Sequence, residues 1–139
     1  MLETEPQLIE ESIKSGRAQL VYRHLLQLGD ATKRLAEASE CAGDQGKFWE
    51  MREVIYRDQG TLYRATDAVL QPLVDELGLN GAQFRQCLAS GQFQQQVEDD
   101  FAAAEREGVR SRPVLDINGK RIIGAQPLAE YQQAIAAAE

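Results

Sequence analysis

The sequence predicts an α/β fold, and three observations carry that prediction. Residues 108–124, GVRSRPVLDINGKRIIG, read as a proline entering a short strand, a tight turn and a second short strand. Val114, Leu115, Ile117, Ile122 and Ile123 suit a pleated surface, and Asn118-Gly119 tolerates the positive φ angles of a two-residue hairpin turn. A further strand is predicted over residues 18–24, AQLVYRH, and because a lone strand is not stable by itself it is expected to join the hairpin in one sheet. Between these pieces, residues from about 30 to 108 carry helical spacing, so a predominantly helical block is inserted into the α/β frame.

Taken in order, the first element is a helix in which Thr4 can cap, Pro6 occupies the first turn and Leu8, Ile9 and Ile13 share a face before Gly16. The strand 18–24 follows and Gly29-Asp30 leaves it. Asp30 or Thr32 then begins a helix carrying Leu35, Ala38 and Cys41. GKFWEMREVIYRDQ spaces Phe48, Trp49, Met51 and Ile55 for burial, and TLYRATDAVLQPLVDELGL reads as a helix bent or restarted at Pro72. Asn80 caps a short helix holding Phe84 and Cys87. Phe93, Val97, Phe101 and Ala104 form a stripe at i, i+4, i+8 and beyond that ends at Gly108. After the hairpin, Pro127 opens a terminal helix with Leu128, Tyr131 and Ile135 inward.

The 139 residues fit a single domain, 1–139, and the 43% hydrophobic and 27% charged content is that of an ordinary globular chain. With a net charge of -7 the chain is a poor nucleic-acid binder, since phosphate neutralisation by Lys and Arg supplies most of that affinity. No apolar run approaches bilayer length and the acidic start MLETEPQLIEES is not a secretory signal, so the chain as written is expected in the cytoplasm and off the membrane. One histidine and two cysteines, unclustered, predict neither a metal site nor a cofactor. His24 is expected to pack or hydrogen-bond, because no nucleophile or carboxylate partner for a triad is visible around it. Asp99 and Asp100 are adjacent, so on a helix they diverge and cannot act as a catalytic pair.

The segments SGRAQLVYRHLLQLGD, AEASECAGDQGKFWEM, LGLNGAQFRQCLASGQF, AAEREGVRSRPVLDINGKRIIGAQP and YQQAIAAA occur in one order over nearly the whole chain. In these pieces the sequence resembles the DsbA-like branch of the thioredoxin fold, the bacterial thiol-disulfide oxidoreductases. The resemblance implies that Pro113 is the cis proline of that family. It also implies that the residue before it, here the long cation Arg112 in place of a small or β-branched side chain, lies at the rim that binds substrate polypeptide. The family's C-x-x-C has no counterpart anywhere in this sequence. It would lie after the family's first strand, ahead of the helix matching EPQLIEESIKSG, so the expected architecture is an incomplete thioredoxin-like fold whose first strand is absent.

Disulfide exchange needs a thiolate of lowered pKa with a resolving thiol beside it, which a C-x-x-C at a helix N-terminus supplies and mid-helix cysteines do not. No catalytic residue is therefore assigned, and the chain is expected to act as a binding or structural module. The alternative is a fragment of an exported disulfide oxidoreductase whose C-x-x-C lies upstream of Met1; a small-molecule binder using the vacated groove is a third class. Cys41 and Cys87 admit three readings: buried free thiols, a non-catalytic bridge of the kind some resembling proteins carry, or a redox-active pair. A sheet missing a central strand exposes unpaired backbone groups, so a homodimer is expected, with a polypeptide partner near the Pro113 hairpin as a further possibility.

Overall fold

The computed structural model describes residues 3–27 and 29–139; Met1 and Leu2, which carry the reading of the chain's start, and Leu28 lie outside the described residues. The protein is helix-rich with a small two-stranded sheet, an α/β fold. Its contacts separate into two compact units, residues 1–22 with 104–139, and residues 23–103.

The hairpin unit begins with α1 (Thr4–Leu8), which continues as a π-helical turn over Ile9–Ile13. Thr4 lies inside the helix and Glu3 holds the cap position without a side-chain hydrogen bond, so the capping assigned to Thr4 is corrected. Two strands follow late in the chain, β1 (Val114–Ile117) and β2 (Lys120–Ile123), antiparallel with Val114 opposite Ile123 and Ile117 opposite Lys120. Asn118 and Gly119 both have positive φ, 45° and 91°, the geometry that matches the right-handed twist of the flanking strands. α7 (Leu128–Ala138) lays Tyr131, Ala134 and Ile135 into a core with Leu8 and Ile122, against which Leu115, Ile117, Leu128 and Ala18 pack. Leu115, Ile117 and Ile122 thus mark the inner face of the hairpin, while Ile123 on the outer face is 60% exposed.

The expected strand over residues 18–24 is not formed, and the sheet among the described residues holds β1 and β2 alone. The N–H of Ala18 closes a turn onto the carbonyl of Ser12 (3.0 Å) and that of His24 is taken by the Asp100 carboxylate (3.2 Å). The ends of the segment are satisfied outside any ladder, Val21 is 68% exposed, and no neighbouring strand offers the alternating bonds that would define one.

The helical unit comprises α2 (Asp30–Gly43), α3 (Phe48–Arg57), α4 (Asp67–Glu76), α5 (Gly81–Ser90) and most of α6 (Gln94–Arg106). Its core joins Ala38, Cys41, Ala42, Met51, Val54, Ile55, Leu62, Leu70, Leu73, Val74, Phe84 and Cys87. α4 starts six residues later than the sequence pattern suggested. Residues 58–65 make successive turns instead, and Ala65 takes φ 47°. Those turns place Leu62 in the core at 2% exposure, and tertiary burial overrides local helical preference there. α4 runs unbroken through the exposed Pro72. Trp49, expected in the core, is exposed. It stands about 200° around α3 from the fully buried Met51, on the opposite side of the helix. Asn80 caps α5 as its position predicted, its side-chain oxygen accepting from the N–H of Gln83 at 3.0 Å.

Candidate functional site

The rim expected at Arg112–Pro113 is built from the hairpin upward. The Arg112–Pro113 peptide bond is cis, and Pro113 is anchored where its carbonyl accepts from the N–H of Gly124 at 2.8 Å. Gly124 has φ 78°, and its carbonyl accepts from the Tyr131 hydroxyl at 3.3 Å while that hydroxyl oxygen accepts from the Gln126 N–H at 3.0 Å. One fully buried aromatic on α7 therefore fixes the loop that faces the proline. Gln126 Nε2 also donates to the Ile123 carbonyl at 3.1 Å. Arg112 itself is exposed and makes no ion pair among the described residues.

On the outer face of the hairpin, Arg121 grips Asp116 with two bonds of 2.8 Å and donates to the Glu107 carbonyl at 2.8 Å. Hydrogen bonding and charge from Arg121 hold the Asp116 carboxyl below its usual range. The pair braces the hairpin against residues just after α6, and it was not foreseen from sequence, since nothing in the spacing of 116 and 121 announces a cross-strand pair until the turn register is fixed.

In the helical unit Cys41 and Cys87 form a disulfide, their Cα atoms 5.8 Å apart across 46 residues. Cys41 lies in the last turn of α2 and Cys87 in the second half of α5, and both are buried. Neither is at a helix N-terminus, where the dipole would favour a thiolate, and neither has a second cysteine three positions away as a C-x-x-C requires. Above the bridge is a shallow depression of about 140 Å³ lined by Asp44, Gln83, Gln86, Ser90 and Gln92 as well as the cysteines. It is smaller than the pockets that bury drug-sized ligands. Within it Gln92 Nε2 donates to Asp44 at 2.8 Å and Ser90 Oγ to the Cys87 carbonyl at 2.9 Å.

His24 is buried with Nε2 2.8 Å from Glu40 Oε1 and its ring edge-on to Phe48. The carboxylate partner was invisible in sequence because it sits sixteen residues on, in α2. Asp99 accepts from Gln95 at 2.8 Å whereas Asp100 reaches back to the His24 backbone, so the two adjacent carboxylates diverge. Among the described residues no group of three His, Cys, Asp or Glu side chains could hold a metal ion, and no helix is long and apolar enough to cross a membrane.

Comparison with known proteins fits this geometry. The sequence model of the family described as Thioredoxin matches residues 1–137. The chain belongs to the thioredoxin family. It is similar over 138 residues to the Na(+)/H(+) antiporter NhaA 1 of Salinispora arenicola, 30% identical, and to the Na(+)/H(+) antiporter NhaA 3 of Salinispora tropica, 29% identical. Each match takes in 98% of this chain and 21% of the relative. A Na(+)/H(+) antiporter NhaA of Herminiimonas arsenicoxydans is 33% identical over 90 residues, 65% of this chain and 14% of its own length. The chain thus spans about a fifth of the length of the two relatives it matches along nearly all of its own.

Proposed function

We propose that this chain is a DsbA-like member of the thioredoxin family that binds polypeptide without redox catalysis of its own, Arg112 and Pro113 forming the binding rim. The observation that carries the reading is the fate of its two cysteines. Both are spent in one disulfide between the last turn of α2 and the second half of α5, which leaves no free thiol to attack a substrate and no neighbouring thiol to resolve a mixed disulfide. The rim keeps a cis proline on a braced hairpin and an exposed cation beside it, a surface suited to an extended chain bearing carboxylates.

The test is titration of a carboxymethylated, unfolded polypeptide, which offers no thiol, into the protein and into Arg112→Glu. Saturable binding that weakens at least about fivefold in the variant supports the rim, as loss of one charged contact of roughly 1 kcal/mol would produce. Equal binding by both proteins would place the site elsewhere.

A second reading is favoured by the length of the relatives, in which the matched region is one module of a much longer chain. In that reading the domain works in cis with a membrane antiporter, or belongs to an exported oxidoreductase with a C-x-x-C upstream of Met1. The intact mass of the protein from its own source separates the two: a value near 15.5 kDa supports the stand-alone module, and a larger one supports the longer chain.

A further inference from the structure

Both asparagines of the chain, Asn80 and Asn118, precede a glycine. Their covalent chemistry is the same and their surroundings differ. Asn80 is the N-cap of α5, its side-chain oxygen accepting from the Gln83 N–H at 3.0 Å. Its carbonyl accepts from the Phe84 N–H at 3.0 Å and from Gln45 Nε2 at 3.2 Å, and its own N–H donates to Gln45 Oε1 at 2.8 Å. Gly81 is packed as well: a Cβ there would lie 3.2 Å from Arg85 Nη1 and 3.8 Å from Gln71 and Val74. Asn118, by contrast, opens the exposed hairpin turn with φ 45°. Among the described residues its side chain makes no hydrogen bond, and the Gly119 N–H has no backbone acceptor. Nothing lies within 4 Å of a Cβ placed on Gly119.

We infer that Asn118 is a site of spontaneous deamidation, and that the fold protects the same dipeptide at Asn80. The reaction needs only water and hydroxide. Hydroxide takes the proton of the Gly119 backbone nitrogen, which attacks Cγ of Asn118. The N–Cγ bond forms, the Cγ–Nδ2 bond breaks, and Nδ2 leaves as ammonia with a proton from water, regenerating hydroxide. The resulting imide adds one water and opens at either carbonyl, to aspartate or to isoaspartate. Glycine at 119 presents no Cβ to obstruct the attack. Ring closure requires the backbone to rotate out of its folded conformation, so the rate follows the free energy of local opening. At Asn118 that opening undoes the closing Ile117–Lys120 pair at the tip of a two-stranded ribbon, an element with little stability of its own. At Asn80 it takes away the cap, both bonds to Gln45 and the first turn of α5. Isoaspartate adds a backbone atom to a turn whose register depends on its two-residue length, so conversion loosens β1 and β2 from the tip.

Peptide mapping of the whole protein held in mildly alkaline buffer, beside a urea-unfolded sample, follows both positions in one experiment. In the folded protein the products at 118 should accumulate at least about tenfold faster than those at 80, a difference of about 1.4 kcal/mol in opening. In urea, where neither cap nor turn persists, the two rates should converge. Absence of conversion at 118 in the folded protein over the time in which the unfolded chain converts overturns the inference. So do equal rates at the two positions in the folded protein. In the converted fraction the Lys120 amide should lose protection from exchange, and unchanged protection would overturn the loosening of the turn.

Discussion

Reducing the Cys41–Cys87 bridge perturbs one covalent constraint and little else, because the thiols remain in the packed core where the sulfurs now sit. The bridge closes a separation of 46 residues, which in the chain-entropy estimate is a stabilisation of about 4 kcal/mol through restriction of the unfolded chain. For a chain of 139 residues that corresponds to a fall in Tm of roughly 8–16 °C. The loss should appear in the helical unit, since the bridge ties α2 to α5 and both belong there. Urea unfolding followed by far-UV circular dichroism, with and without a non-thiol reductant, measures it. Alkylation of the unreduced, denatured protein should add no mass, and reduction should add two labels. A midpoint that does not move on reduction, or two labels without it, would refute the reasoning.

Other consequences follow from single side chains. Tyr131→Phe removes the hydroxyl that holds Gly124 and Gln126 and should cost about 1–2 kcal/mol in thermal unfolding; no change would mean that the loop is held otherwise. Met51→Ala empties a fully buried site in the helical core and should cost about 2–5 kcal/mol by urea titration. Asn80→Ala removes the α5 cap and should cost about 1 kcal/mol. Because Arg121 depresses the folded-state pKa of Asp116, that carboxylate contributes stability above its unfolded pKa near 3.8, and the contribution is lost as pH falls through the lower folded value. Carbon-detected NMR titration should find Asp116 below 3.8 in the protein and returned toward it in Arg121→Gln.

Elements with strong local chemistry were legible in the sequence. Asn118-Gly119 fixed the hairpin and its register, Asn80 fixed the start of α5, and Tyr131 and Ile135 announced the inward face of α7. What sequence could not show depended on distant partners. Residues 18–24 have strand-like side chains, yet their state is decided by whether a neighbouring strand is present and by Ser12 and Asp100 at the segment's ends. Trp49 follows an apolar pattern, but the face of α3 is set by Met51, Val54 and Ile55 together. Leu62 breaks its predicted helix to reach the core, and Glu40 meets His24 only once α2 has packed. Around Arg112 and Pro113 the residue types were readable, whereas the holding of the Gly124 loop by Tyr131 and of the hairpin by Arg121 required the fold.

The most direct measurement is a thiol-disulfide exchange assay, reduction of insulin by dithiothreitol in the presence of this chain and of Cys41→Ala/Cys87→Ala. Both proteins should leave the rate at that of the small thiol alone. Acceleration by the unaltered chain that vanishes in the double variant would contradict a non-catalytic module and make the Cys41–Cys87 bridge a working redox pair.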